Sequence, residues 1–178
     1  MSRLFFALDI SNTDKQLIDD FVHHNLIVPF KVIPKNNYHI TLCFLGLVNT
    51  NQKELLIQCA TEVTNELAPI TTNSLSIDYY GLFKKPKVLY LGNNEVPDWL
   101  SLLVNKLTTT ANNLSLFQEE RNYLPHISIF RKALFIPNNL SNPRISIIIN
   151  SFSLYESVSL NNQVIYKPIK TWCLNKSL

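Results

Sequence analysis

Two four-residue segments, His39-Ile40-Thr41-Leu42 and His126-Ile127-Ser128-Ile129, share one pattern: a histidine, an isoleucine, a hydroxyl residue and a second aliphatic residue. Each lies in an alternating apolar stretch that reads as a β-strand, in which residues i and i+2 project from one face. The spacing therefore predicts an imidazole and a hydroxyl side by side on each strand. Two such strands facing one cleft would bring two imidazoles and two hydroxyls to a single oxyanion. One imidazole could take a proton while the other gives one, because histidine titrates near neutral pH. Thr41 and Ser128 would donate hydrogen bonds to non-bridging oxygens, where negative charge builds in the transition state. Such a set is equipment for phosphodiester chemistry without a metal.

One His-x-[Ser/Thr] segment alone is weak, since chance matches are common and a strand histidine is more often structural. The pairing carries the reading. Of four histidines, the two on predicted strands both have the pattern, nearly half the chain apart. Metal binding is the rival chemistry, but no Asp or Glu adjoins either segment on the same strand face, and no closely spaced His or Cys pair completes a tetrahedral set. Cys43 shares the predicted face with His39 and Thr41, so it reads either as a cysteine nucleophile or as a small buried thiol. His23 and His24 fall near the end of a predicted helix, where an imidazolium complements the dipole without doing chemistry.

The elements that must position these residues are legible in outline. Arg3 to Asp9 reads as a buried strand, followed by a helix capped by Ser11 or Asn12 with Leu17, Ile18, Phe21 and Val22 on one face. Tyr38 to Leu45 is the first motif strand, ended by Gly46, and a second helix runs from Thr50 to about Leu67. Ser74 to Phe83 and Val88 to Leu91 read as a hairpin through Lys84 to Lys87. A third helix spans Pro97 to Ala111, with Trp99, Leu102, Leu103 and Leu107 apolar and Pro97 in its first turn. The second motif strand covers Tyr123 to Arg131, then a loop from Pro137 to Pro143, then strands Ile145 to Glu156 and Val164 to Leu174. This order predicts an α+β fold of two similar lobes with antiparallel sheets, one motif strand from each lining a shared cleft, within a single domain of residues 1–178.

The 178 residues are 46% apolar, enough for a sizeable core, and 16 Lys plus Arg against 13 Asp plus Glu leave a net charge of +3. That balance permits an anionic ligand without the dense basic stripe of a duplex-binding protein. The cluster Lys84-Lys85-Pro86-Lys87 reads as a solvated loop. Three scattered cysteines suggest neither a disulfide framework nor a zinc knuckle, so free thiols in a reducing cytosol are expected. Asp9 interrupts the opening apolar run before a signal-peptide core forms, and no window approaches the roughly 20 apolar residues of a membrane span. A soluble cytoplasmic monomer without membrane contact is the expectation.

Beyond these segments the sequence resembles a known family along nearly its whole length. Arg3-Leu4-Phe5-Phe6-Ala7-Leu8-Asp9 is similar to the opening strand of the two-histidine (2H) phosphoesterases, in particular the RNA 2′,3′-cyclic phosphodiesterases long called 2′-5′ RNA ligases or LigT. Asn37 to Gly46 resembles their first signature, Arg121 to Arg131 their second, and Gly81-Leu82-Phe83-Lys84 with Pro86 to Tyr90 their central hairpin. Leu154 to Ser157, Tyr166 and Trp172 resemble the closing strands. The resemblance implies that His39 is the proton donor and His126 the proton acceptor, with Thr41, Ser128 and Arg131 on the phosphate. It implies no metal or other cofactor, an RNA or oligonucleotide with a 2′,3′-cyclic phosphate end as partner, and 2′-5′ ligation as the reverse chemistry. Ser128 departs from the usual threonine, keeping the hydroxyl and losing the methyl that restrains its rotamer. Strand parity puts Arg131 opposite His126, so its role requires a bend or bulge after Phe130. Tyr38, Phe44 and Tyr123 are candidates for base stacking, although core packing suits Phe44 better. The alternatives are another 2H activity, on 2′-5′ oligonucleotides or ADP-ribose cyclic phosphate, and a non-catalytic RNA-end binder.

Overall fold

The computed structural model describes residues 1–67, 73–116, 122–160 and 163–174. Among them, ten strands and three α-helices follow in the order β1 (Ser2–Leu8), α1 (Asn12–Asn25), β2 (Lys31–Val32), β3 (Ile40–Val48), α2 (Thr50–Glu66), β4 (Ser74–Ile77), β5 (Tyr79–Phe83), β6 (Val88–Gly92), α3 (Asp98–Asn113), β7 (His126–Arg131), β8 (Ile145–Ile148), β9 (Ser151–Leu160) and β10 (Gln163–Cys173). One sheet has the order β10-β9-β1-β3, a second the order β2-β7-β6-β5, and β4 pairs β8 as a separate ribbon. All these pairings are antiparallel, which makes the fold α+β with one motif strand in each large sheet.

Local chemistry explains the helix starts. Ser11 caps α1 by accepting from the Asp14 N–H, and Asn49 with Gln52 forms a full capping box at α2, so N–H groups that lack intrahelical partners are satisfied. Pro97 stands just before α3, where Leu100, Leu103, Val104, Leu107 and Ala111 recur at helical spacing on the buried face. Leu17 and Leu102, expected on apolar faces, remain exposed. On the first sheet, Phe6, Phe152 and Trp172 cluster on the core face, and the Trp172 Nε1–H donates to Thr61 Oγ1 at 2.9 Å, tying β10 to α2. β1 is buried from Leu4 to Leu8 on both faces: Leu4, Phe6 and Leu8 join the main core, and Phe5 packs beside His39.

Four expectations about strand limits need correction. The stretch 74–83 breaks at Asp78 into β4 and β5, and the stretch 145–156 breaks at residues 149–150 into β8 and β9, so each long run serves two sheets. Polar corner residues anchor these breaks: Asp78 Oδ1 accepts from Asn94, and Asn73 Nδ2 donates to Asn150 Oδ1. Gly46 does not end the first motif strand. β3 continues to Val48, and Gly46 sits at φ +71° beside a register shift, a conformation glycine adopts without a Cβ penalty. The second motif strand begins only at His126.

Candidate active site

β3 lies at the edge of the first sheet, and β7 lies between β2 and β6 in the second. Between the sheets opens a cleft of about 210 Å³ whose lining includes His39, Thr41, His126, Ser128, Arg131 and Tyr166. The two histidines are held alike. His39 Nδ1 lies 2.7 Å from the Asn37 carbonyl oxygen, and His126 Nδ1 lies 2.8 Å from the Leu124 carbonyl oxygen, each two residues upstream. A carbonyl only accepts, so Nδ1 carries the proton in both rings and Nε2 is the nitrogen that gains or loses one. His39 Nε2 stands 3.1 Å from Thr41 Oγ1, so the hydroxyl donates to the neutral ring; once Nε2 is protonated that donor can turn elsewhere.

The motif strands also share an irregularity. In β3, Thr41 pairs Ala7 and Cys43 pairs Phe6, leaving Leu42 as the extra residue of a bulge; in β7, Ser128 pairs Tyr90 and Phe130 pairs Leu89, leaving Ile129 extra. Each bulge falls three residues after its histidine. An extra residue reverses the facing of every later position on its strand, so the fourth residue after each histidine turns into the core and the fifth turns into the cleft. Cys43 and Phe130 are buried accordingly, while Phe44 and Arg131 line the cleft.

This corrects two expectations. Cys43 does not share the cleft face with His39, and burial pushes its thiol up to about 12, which removes it as a nucleophile. Phe44 is not a core residue: it is 58% exposed at the cleft. Arg131 reaches the cleft through the bulge that its role required, placed at Ile129 before Phe130 rather than after it. Its Nη2 lies 3.5 Å from the Tyr166 hydroxyl. Tyr38 is buried with its hydroxyl on Asp19, outside the cleft lining, and Tyr123 donates to the Thr41 carbonyl at 3.1 Å. Arg121, the first residue of the second signature, lies outside the described residues.

Each imidazole is walled by aromatic rings. Phe5 and the edge of Tyr166 flank His39 at 5.1 and 4.9 Å between centroids, and Phe83 and Tyr90 flank His126 at 4.9 and 5.3 Å. Enclosure by these groups lowers His39 to about 4, because desolvation penalises the imidazolium; the Asn37 carbonyl opposes the shift, and the charges of His126, Lys15 and Arg131 add to it. Behind Phe5, Tyr155 stacks at 5.4 Å and donates its hydroxyl to Asp9, which also accepts from Ser151 and Ser153. Phe5, Asn37, Phe83 and Tyr166 lie in segments that resemble the family, but alternation along one strand gives no sign that they meet the two imidazoles, so the sequence assigned them no site role. Among the described residues no group of three or more His, Cys, Asp and Glu side chains could hold a metal ion.

Residues 9–167 match the family model described as the AKAP7 2′5′ RNA ligase-like domain. The chain belongs to this family of two-histidine phosphoesterases. It is 30% identical, over 98% of its own length and 97% of the relative's, to the RNA 2′,3′-cyclic phosphodiesterase of Escherichia coli (strain K12). It is 29% identical to the enzyme of the same name from Methanocaldococcus jannaschii, covering 96% of this chain and 99% of that one. Its fold superposes on E. coli LigT complexed with 3′-AMP with a TM-score of 0.84 at 27% identity, covering 98% and 99% of the two chains.

Proposed function

We propose that the chain is an RNA 2′,3′-cyclic phosphodiesterase that opens a terminal cyclic phosphate to a 2′-phosphate by metal-free acid and base catalysis. One observation carries the reading: two imidazoles, each pinned through Nδ1 to a main-chain carbonyl and paired along its strand with a hydroxyl, line one cleft with Arg131. His126 Nε2 takes the proton of a water that attacks phosphorus, and the bond from phosphorus to O3′ breaks on the opposite side. His39 gives its Nε2 proton to O3′ as that bond opens. Thr41, Ser128 and Arg131 hold the non-bridging oxygens. An RNA 5′-hydroxyl attacking phosphorus in place of water, with the same loss of O3′, gives the 2′-5′ linkage.

The depressed pKa of His39 leaves the ring neutral in the empty cleft, so the donor role requires that the substrate restore its proton. Such a group, once protonated, is a strong acid toward a departing alkoxide, and the negative charge of a bound phosphate favours its protonation. Cytoplasmic action suits three cysteines outside any disulfide. The test is incubation of a 2′,3′-cyclic-phosphate oligonucleotide with the protein in EDTA. A 2′-phosphate product is expected, with kcat reduced on the order of 10²–10⁴-fold in His39→Ala and in His126→Ala. No product, or full activity in either variant, would overturn the proposal. The same assay on 2′-5′ oligonucleotides and ADP-ribose cyclic phosphate separates the related activities.

A further inference from the structure

We infer that the RNA strand attached to the cyclic phosphate leaves the cleft over one end of the second sheet, its phosphates resting on a rim formed by Lys31, Lys84, Lys85, Lys87 and Lys132. The inference rests on the phosphodiesterase reading and extends it from the reacting end to the strand behind it.

Strand register places the rim. Lys31 pairs Arg131, Arg131 pairs Val88, and Val88 pairs Phe83, which makes one row across all four strands. Residues directly opposed in a ladder point to the same face. Arg131, Val88 and Phe83 line the cleft, so Lys31 stands on the cleft face at the outer edge of that row. The turn from Lys84 to Lys87 continues from Phe83 and Val88, is closed by the Lys87 N–H donating to the Phe83 carbonyl at 2.8 Å, and puts Pro86 in the cleft wall. The Ala133 N–H donates to the Lys87 carbonyl at 3.0 Å, which draws Lys132 beside the turn.

Three separate stretches of sequence thus place five exposed lysines around the end of the cleft where Arg131 points inward. The ion pairs among the described residues are His23–Asp19 and Lys106–Glu66, so none of these five has a carboxylate partner there. In a chain whose net charge is only +3, this is a local concentration of positive charge, and like charges held together repel until a polyanion lies across them. A mononucleotide filling the cleft would leave the rim unused. A strand running outward from the cyclic phosphate would cover it, releasing counterions as each phosphate is neutralised.

Two product ligands test this: 2′-AMP, and an eight-nucleotide RNA ending in a 2′-phosphate, with Kd measured from low to high salt. The octamer is expected to bind at least about tenfold tighter at low salt. Its log–log salt dependence should be steeper by about 0.7 for each lysine engaged, the value for single strands. Lys31→Ala and Lys132→Ala should each flatten the octamer slope by about that amount, and the two combined with Lys84→Ala and Lys85→Ala should bring it to within about 0.7 of the 2′-AMP slope, the share of the remaining Lys87. Parallel slopes for the two ligands in the unaltered protein, or an octamer slope unchanged by the four substitutions, would overturn the rim. Turnover of 2′,3′-cyclic AMP by the unaltered protein, run alongside, reports on the catalytic reading separately: its absence removes the activity, whereas turnover without a length effect removes only the rim.

Discussion

His39 and His126 share a posture, and the enclosure of His39 sets its part of the chemistry. An imidazole held near 4 is neutral in the empty cleft at neutral pH, so catalysis requires the substrate to bring the negative charge that favours its protonation. The pH profile should show this directly. The donor must be protonated, so its titration sets a limb that falls as pH rises; in kcat/KM that limb reports the empty site and in kcat the occupied one, so the kcat limb should lie at higher pH. Coincident limbs would mean that the phosphate does not reach His39. Folding is linked to the same proton. Between about 6.5, the ordinary value, and about 4, the unfolded chain binds a proton at this position that the folded chain does not. Stability from this group is therefore full above about 6.5 and is lost as pH falls toward 4. Thermal melts of the wild type and of His39→Gln should show the variant gaining relative stability across that window, and parallel melting curves would contradict the shift.

Strand irregularities turn a motif into a site. The hydroxyl two residues after each histidine follows from strand alternation and was legible in the sequence, as were the three helices and the antiparallel α+β class. Arg131 was legible only as a conflict, since parity put it on the wrong face; Cys43 and Phe44 gave no conflict and were misassigned for the same reason. A bulge is a two-against-one count between strands, and one strand's sequence does not contain its partner's register. The sheet switches at Asp78 and at residues 149–150 escaped similarly, because apolar alternation runs through both corners. Across β5 and β6, Gly81 makes room for Tyr90: a Cβ there would lie 2.1 Å from the ring. That ring stacks on Phe83 at 4.4 Å and meets His126 edge-on. Gly81→Ala should thus displace the wall of His126. The expected outcome is a destabilisation of about 1–3 kcal/mol by overpacking and a kcat lower by about tenfold, measured by melting and by cyclic-phosphate turnover. Wild-type kcat in a destabilised variant would show that Tyr90 does not orient the imidazole.

At the scale of the molecule, the cleft exists because two sheets that share no ladder are held side by side. The segment before β7 supplies one tie, the Tyr123 hydroxyl donating to the carbonyl of Thr41 on β3. This bond joins the approach to His126 directly to the strand of His39, and Leu124, the next residue, provides the carbonyl that pins His126. Slack in the tie would move one imidazole relative to the other. Simultaneous proton transfer on opposite sides of one phosphorus tolerates little displacement, so this single hydroxyl should weigh more in rate than in stability. Tyr123→Phe leaves the ring packed and removes only the donor, an expected stability loss of about 1 kcal/mol. The kcat should fall by roughly tenfold or more, since small misplacement of reacting groups is costly. With Arg131 and the hydroxyls on the phosphate as proposed, the affinity for a 2′-phosphate product should change less than the rate. Equal losses in product binding and kcat would instead place Tyr123 in ligand binding, whereas a rate loss alone would establish that the spacing of the two histidines is set from outside both motif strands.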